Sequence, residues 1–229
     1  MIKNALIVGA GHGLSASLAR VFAANGMKVA LAARDAKKLG PLCDEVNASA
    51  FTCDVTQEQS VNALFAALDE RGEAPDLVVF NAGYYARGPV EELSPDPVRS
   101  SLETNALGAF LVAQAAAVRM QGSGGGVIQF TGATAGVKGF ANSSPFAMGK
   151  FALRGLCQSL ARELAPQNIH IVHFVLDGVI YDRARGAPYD SVEKSLHPDR
   201  VAEAYLAAAR QHHSAWSWEI ELRPNTEAF

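Results

Sequence analysis

Seven short apolar runs alternate along the chain with longer stretches of helical periodicity, and that rhythm leaves few folds open. The runs cover residues 3–8, 27–33, 48–53, 76–80, 127–131, 169–175 and 216–222. Most lack polar alternation, as strands covered by helices on both faces do. Helical patterns lie between them near 14–25, 35–46, 57–71, 97–121, 144–165 and 198–212. Thr56 followed three residues later by Gln59 predicts a capping box at the start of the third helix. Gly122-Ser123-Gly124-Gly125-Gly126 reads as a turn, and residues 181–197 break the rhythm as a surface loop or lid. Alternation over the whole length implies an α/β fold, a doubly wound parallel sheet of about seven strands with right-handed crossovers and helices on both faces.

At 229 residues the chain suits one domain over 1–229. Its formal charge of −3 excludes the basic balance of a dedicated nucleic-acid binder or a polybasic membrane-surface protein. No run approaches the roughly 18 apolar residues of a membrane span, and the first apolar stretch is too short for a signal peptide. Cys43, Cys53 and Cys157 lack the spacing of a metal site, so reduced thiols and a cytoplasmic location are expected, with no metal.

The first run leads directly into Gly9-Ala10-Gly11-His12-Gly13-Leu14-Ser15 and then a helix. Glycines between a strand and a helix let backbone approach a pyrophosphate held at the helix N-terminus, the arrangement of a Rossmann-like dinucleotide site. An acidic residue about 20 positions on would hold a ribose 2′-hydroxyl. Here Ala33 occupies that place and Arg34 follows. A guanidinium suits a 2′-phosphate, which favours NADP(H) over NAD(H), with His12 as a second donor. The other reading is that Arg34 ends the strand in solvent while Asp35 starts the next helix.

The order of motifs resembles the short-chain dehydrogenase/reductase family over almost the whole chain. Gly9-x-x-x-Gly13-x-Ser15 is similar to its glycine motif, with Ser in place of a third Gly. Asp54, followed by Val55, looks like the family's adenine contact. Asn81-Ala82-Gly83 matches the loop after the fourth strand, Asn105 the Asn of the long helix, and Lys150 the lysine of a Tyr-x-x-x-Lys pair. The resemblance implies a hydride-transferring oxidoreductase acting on a small carbonyl or alcohol. It also implies cofactor contacts from Gly9, Gly11, His12, Gly13, Leu14, Arg34, Asp54, Val55, Asn81, Ala82, Gly83, Lys150, Gly178 and Ile180. A homodimer or homotetramer, built on the apolar helix from Phe146 to Glu163, is implied in the same way.

The departures fall at the chemistry. Phe146 stands where the family has its catalytic Tyr, Ala133 where it has Ser, and Asp177-Gly178 where it has Pro-Gly. Asn105 and Lys150 remain. Phe keeps the ring and can neither give nor take a proton; general acid–base catalysis is typically worth about 10²–10⁴-fold. Tyr84, Tyr85 and Tyr181 lie near the expected nicotinamide end, either as substitute hydroxyls or as aromatic pocket lining. Asp177, if desolvated, and Lys150, if its pKa fell, are further candidates for moving a proton. Thr131 and Thr134 flank Ala133, and neither simply takes over its position. The alternative to an enzyme is a non-catalytic cofactor-binding protein, a sensor or partner subunit on the same fold. His212-His213 reads as a solvated helix end, and Trp216 and Trp218 as one face of the last strand at a subunit contact.

Overall fold

The structure, a computed structural model, describes residues 2–227. Seven strands, β1 (Asn4–Val8), β2 (Lys28–Ala33), β3 (Ser49–Thr52), β4 (Leu77–Phe80), β5 (Gly126–Thr131), β6 (Ile169–Leu176) and β7 (Glu219–Leu222), form one sheet. Their order is β3-β2-β1-β4-β5-β6-β7 and every pairing is parallel.

Side chains alternate across the sheet, so each strand feeds two apolar layers. In β1, Ala5 and Ile7 pack toward α1 (Leu14–Ala24), α2 (Gly40–Val46) and α7 (Pro198–Ala209). Leu6 and Val8 pack toward α3 (Glu58–Glu70), α5 (Gly108–Ser123) and α6 (Ser144–Leu164). α4 (Pro95–Leu102) lies against α6 beside these helices. The strand order reverses at β1 and β4, and a crevice opens beyond the carboxyl ends of strands at such a switch point.

Several local expectations are corrected. The helix expected over 97–121 begins at Pro95, passes through a π-helical turn at Glu103–Leu107, and runs to Ser123. The glycine-rich turn therefore narrows to Gly124 and Gly125, both at positive φ. A Cβ on Gly125 would lie 2.2 Å from the Asn168 carbonyl oxygen. The stretch 35–46 divides into a 3-10 turn (Ala36–Leu39) and α2, which restarts at Gly40-Pro41. No capping box forms: Thr56 Oγ1 donates instead to Asp54 Oδ1, and Gln57 is the N-cap of α3.

Trp216 and Trp218 precede β7 rather than lying on it. Trp216 stacks on His170 with centroids 4.6 Å apart, and Trp218 lies under Arg154. Both rings are therefore packed within the chain, and the preceding segment is held by a 3-10 turn and by Gln211, which accepts from the Ser217 N–H. Residues 181–197 form an irregular segment tied down by a bridge between Ile180 and Leu196. No helix among the described residues is long and apolar enough to cross a membrane, and none of their His, Cys, Asp and Glu side chains form a group able to hold a metal ion.

Candidate active site

The glycine loop is fixed by sterics at one end and open at the other. Gly9 has φ +84°, and a Cβ there would lie 2.3 Å from the Ala82 nitrogen, so only glycine fits. Side chains at Gly11 and Gly13 would meet nothing within 4 Å. Gly13 is the N-cap of α1, with no side-chain cap and no acidic residue in the first turn. The first N–H groups of α1 are thus left for an anion. Leu14 is buried beneath the loop. Ser15, the departure from the glycine motif, is buried and donates to the Gly9 carbonyl at 3.1 Å.

From this loop a cleft of about 840 Å³ runs across the carboxyl ends of β1, β2 and β4. Its lining brings together Gly9, Gly11, His12, Arg34, Asp54, Val55, Asn81, Ala82, Gly83 and Tyr84. Arg34 is exposed and has no carboxylate partner among the described residues. Asp35 is engaged, accepting from the Lys37 N–H at 3.2 Å and pairing with Lys38 at 3.3 Å. Sequence reading missed Arg20 and Lys38, which also line the cleft. The i,i+3 spacing of Asp35 and Lys38 was the available signal for the second; Arg20, paired with Glu45, gave none. His12 reaches Asp182 at 3.3 Å across the mouth, a contact that links the loop 181–197 to the glycine motif.

Gly13, Leu14, Asn105, Lys150, Gly178, Ile180, Tyr85 and Tyr181 are not part of this lining. Asn105 sits in the π-helical turn, fully buried, with both ends of its amide engaged. Its Oδ1 accepts from the Tyr84 N–H at 3.3 Å, and its Nδ2 donates to the Tyr84 carbonyl at 3.0 Å and to Ser101 at 3.1 Å. Lys150 is buried, and its Nζ donates to the Thr131 carbonyl at 2.8 Å. Desolvation pushes the Lys150 ammonium down to about 8. The Phe146 ring centre is 5.8 Å from that ammonium, and Tyr85 meets the ring edge-on at 4.9 Å.

Asp177 does not stand as a free proton carrier. Thr134 Oγ1 donates to one oxygen at 2.5 Å, and Arg223 pairs with the other. Thr131 hydrogen-bonds the hydroxyl of Tyr205 at 2.9 Å. Gly178 adopts φ +149°, and Tyr181 lies against His197 with ring centres 5.9 Å apart. One buried group escaped sequence reading. His173 Nδ1 bonds Glu219 at 3.0 Å, and Arg154 holds the same carboxylate through two contacts of 2.6 and 2.8 Å. Desolvation pushes His173 down to about 4. A histidine inside an apolar run was the signal.

Comparison with known proteins agrees with this geometry. The short chain dehydrogenase family model matches residues 3–182. Trans-4-hydroxycyclohexanecarboxylate dehydrogenase of Sinomonas cyclohexanicum is 35% identical over 180 residues, covering 74% of this chain and 69% of that protein. Human 17-beta-hydroxysteroid dehydrogenase type 1 is 31% identical, covering 90% of this chain and 67% of that protein. A short-chain dehydrogenase structure from Rhodopseudomonas palustris superposes with TM-score 0.84 at 32% identity, covering 97% of this chain and 98% of that one. An alcohol dehydrogenase from Thermococcus sibiricus, solved with 5-hydroxy-NADP, superposes with TM-score 0.87 at 25% identity, covering 99% and 98% of the two chains. The chain belongs to the short-chain dehydrogenase family of oxidoreductases.

Proposed function

We propose that the chain is an NADP(H)-preferring oxidoreductase whose cleft binds the cofactor as its relatives do, while its catalytic set lacks both hydroxyls. The observation that carries this is the division of labour at the end of β2: Arg34 has no carboxylate partner among the described residues and Asp35 is tied to Lys38. A free guanidinium favours a 2′-phosphate, and a carboxylate already engaged gives a ribose 2′-hydroxyl little to bond. The uncapped start of α1, with open space beside Gly11 and Gly13, suits a pyrophosphate.

The bound nicotinamide would supply or accept a hydride; the protein's part is to place it and manage charge. Asp54, Val55, Asn81, Ala82 and Gly83 shape the cleft, Gly178 and Ile180 would meet the cofactor outside that lining, and Lys150 would offer N–H donors beside Gly83. Asn105 fixes Tyr84 and the loop that carries it. A small carbonyl or alcohol would enter beside Phe146, Tyr84, Tyr85 and Tyr181, a class consistent with the hydroxycyclohexanecarboxylate relative.

Calorimetric titration tests the cofactor reading. NADPH is expected to bind at least tenfold tighter than NADH, with the difference lost in Arg34→Ala; equal affinities would overturn the preference. A second reading, a cofactor sensor or inactive partner subunit, is favoured by Phe146 and Ala133 together. NADPH binding without turnover of any carbonyl probe would select it. Leu107, Phe110, Val118, Met148 and Phe151 expose apolar surface on and beside α5 and α6, and a homodimer or homotetramer covering them is expected in light scattering.

A further inference from the structure

We propose that the acceptor suited to this site is a C=N⁺ carbon, an iminium ion or protonated imine, in preference to a ketone. The inference rests on the hydride-transfer reading above and narrows it to a substrate class. A ketone that takes up a hydride becomes an alkoxide, which needs a proton and a donor to its developing charge. Phe146 and Ala133 provide neither.

Apart from the hydroxyls of Tyr84, Tyr85 and Tyr181, the surrounding polar groups are engaged elsewhere. Thr131 is bonded to Tyr205, Thr134 to Asp177, and Asp177 to Arg223. The Asn105 amide is held by Tyr84 and Ser101. Lys150 turns its ammonium to the Thr131 carbonyl. Beside these groups stands an aromatic pair, Phe146 with Tyr85 set against it at 72° and 62% exposed. Aromatic faces attract organic cations, here against the charge of Lys150, whose ammonium lies 5.8 Å from the Phe146 ring centre.

An iminium removes the need for the missing groups. Its carbon gains a C–H bond from the hydride given up by the reduced nicotinamide, which is oxidised by two electrons. The C=N π pair becomes the nitrogen lone pair. No proton is exchanged and no oxyanion forms, so neither hydroxyl is required.

The test compares N-methyl-3,4-dihydroisoquinolinium, which has no exchangeable proton, with the neutral bicyclic ketone α-tetralone. Both are offered to the full chain with NADPH, and protein-free rates are subtracted. The iminium is expected to show kcat/KM at least about 10²-fold above the ketone, the size of a missing acid–base term. Phe146→Tyr is expected to raise the ketone-to-iminium rate ratio by a similar factor. Calorimetry without cofactor gives an independent readout: the cation binds more tightly than α-tetralone, and Phe146→Leu weakens it about 3- to 30-fold. Turnover of α-tetralone with the iminium inert overturns this proposal and leaves the oxidoreductase reading standing; its loss in Tyr85→Phe would assign the proton to that tyrosine. Turnover of neither probe, with NADPH bound, overturns both.

Discussion

Asn81 Nδ2 donates to Ser15 Oγ at 2.8 Å, so the one residue that breaks the glycine motif is the one that ties it to the loop after β4. Ser15 passes the contact on to the Gly9 carbonyl, and Asn81 itself approaches that carbonyl at 3.4 Å. A third glycine would leave the amide of Asn81 with a poorer partner.

The consequence is measurable in cofactor affinity. Ser15→Ala removes one part-buried hydrogen bond to each of two loops, and a hydrogen bond contributes roughly 0.5–1.5 kcal/mol net. NADPH affinity is expected to fall about three- to tenfold in titration calorimetry, with the melting temperature lowered by a few degrees. Unchanged affinity would mean that the two loops hold their positions independently.

Burial of the Lys150 ammonium is expected to lower stability. Its folded pKa is about 8 against an ordinary 10.5, so the unfolded chain holds this proton more tightly than the native one. Stability is therefore lower by roughly 3 kcal/mol below pH 8 than a neutral residue would give, and it recovers as pH rises from 8 to 10.5. Lys150→Met keeps the length of the side chain and removes the charge. Urea unfolding at pH 7 is expected to show the variant more stable than wild type by about 1–3 kcal/mol, and the gap to narrow by pH 10. A variant that is less stable at both pH values would show that the bond to Thr131 outweighs desolvation.

His173 gives the opposite flank of the pH profile. Burial holds it at about 4 in the folded protein against an ordinary 6.5, so the unfolded state gains protons first as pH falls. Stability is lost between pH 6.5 and 4, by roughly 3 kcal/mol from this group. His170, also pushed down by burial, and Glu219, held low by Arg154, act in the same direction. Chemical unfolding across pH 4–7 tests this; a flat profile would show that His173 charges in place. Gly132 is part of the same packing, because a Cβ there would meet His173 Nε2 at 2.3 Å. Gly132→Ala is expected to destabilise the protein by about 1–3 kcal/mol, as overpacking does.

The strand–helix rhythm was legible because both faces of the sheet are covered, which makes β4 a continuous apolar run and leaves β1 and β6 apolar but for Asn4, His170 and His173. The glycine loop was legible because Gly9 has to pass against Ala82. The π-helical turn was not, because the helical period continues through Glu103–Leu107 and only tertiary packing singles it out. Gly149 permits that packing: a Cβ would meet Ser101 Oγ at 2.5 Å and Asn105 Nδ2 at 2.8 Å. The Asp177–Arg223 pair was equally hidden, since it joins residues 46 apart in the chain.

Phe146 and Ala133 together define the last test. Phe146→Tyr restores a hydroxyl beside the Lys150 ammonium, now 5.8 Å from the ring centre, and Ala133→Ser restores a donor at the end of β5. Neither change requires a new backbone conformation: Ala133 is in extended geometry, and Phe146 lies in the first turn of α6. The double variant is expected to gain ketone reduction with NADPH by more than the about 10²-fold expected of Phe146→Tyr alone, the typical size of an acid–base contribution. The single variants should each give less, because a proton donor and an oxyanion donor act on the same oxygen. Steady-state kinetics with α-tetralone would decide it. No gain in a double variant that still binds NADPH would place the block in the aromatic wall formed by Tyr85 and Phe146, and its next probe is Tyr85→Ala on the same background.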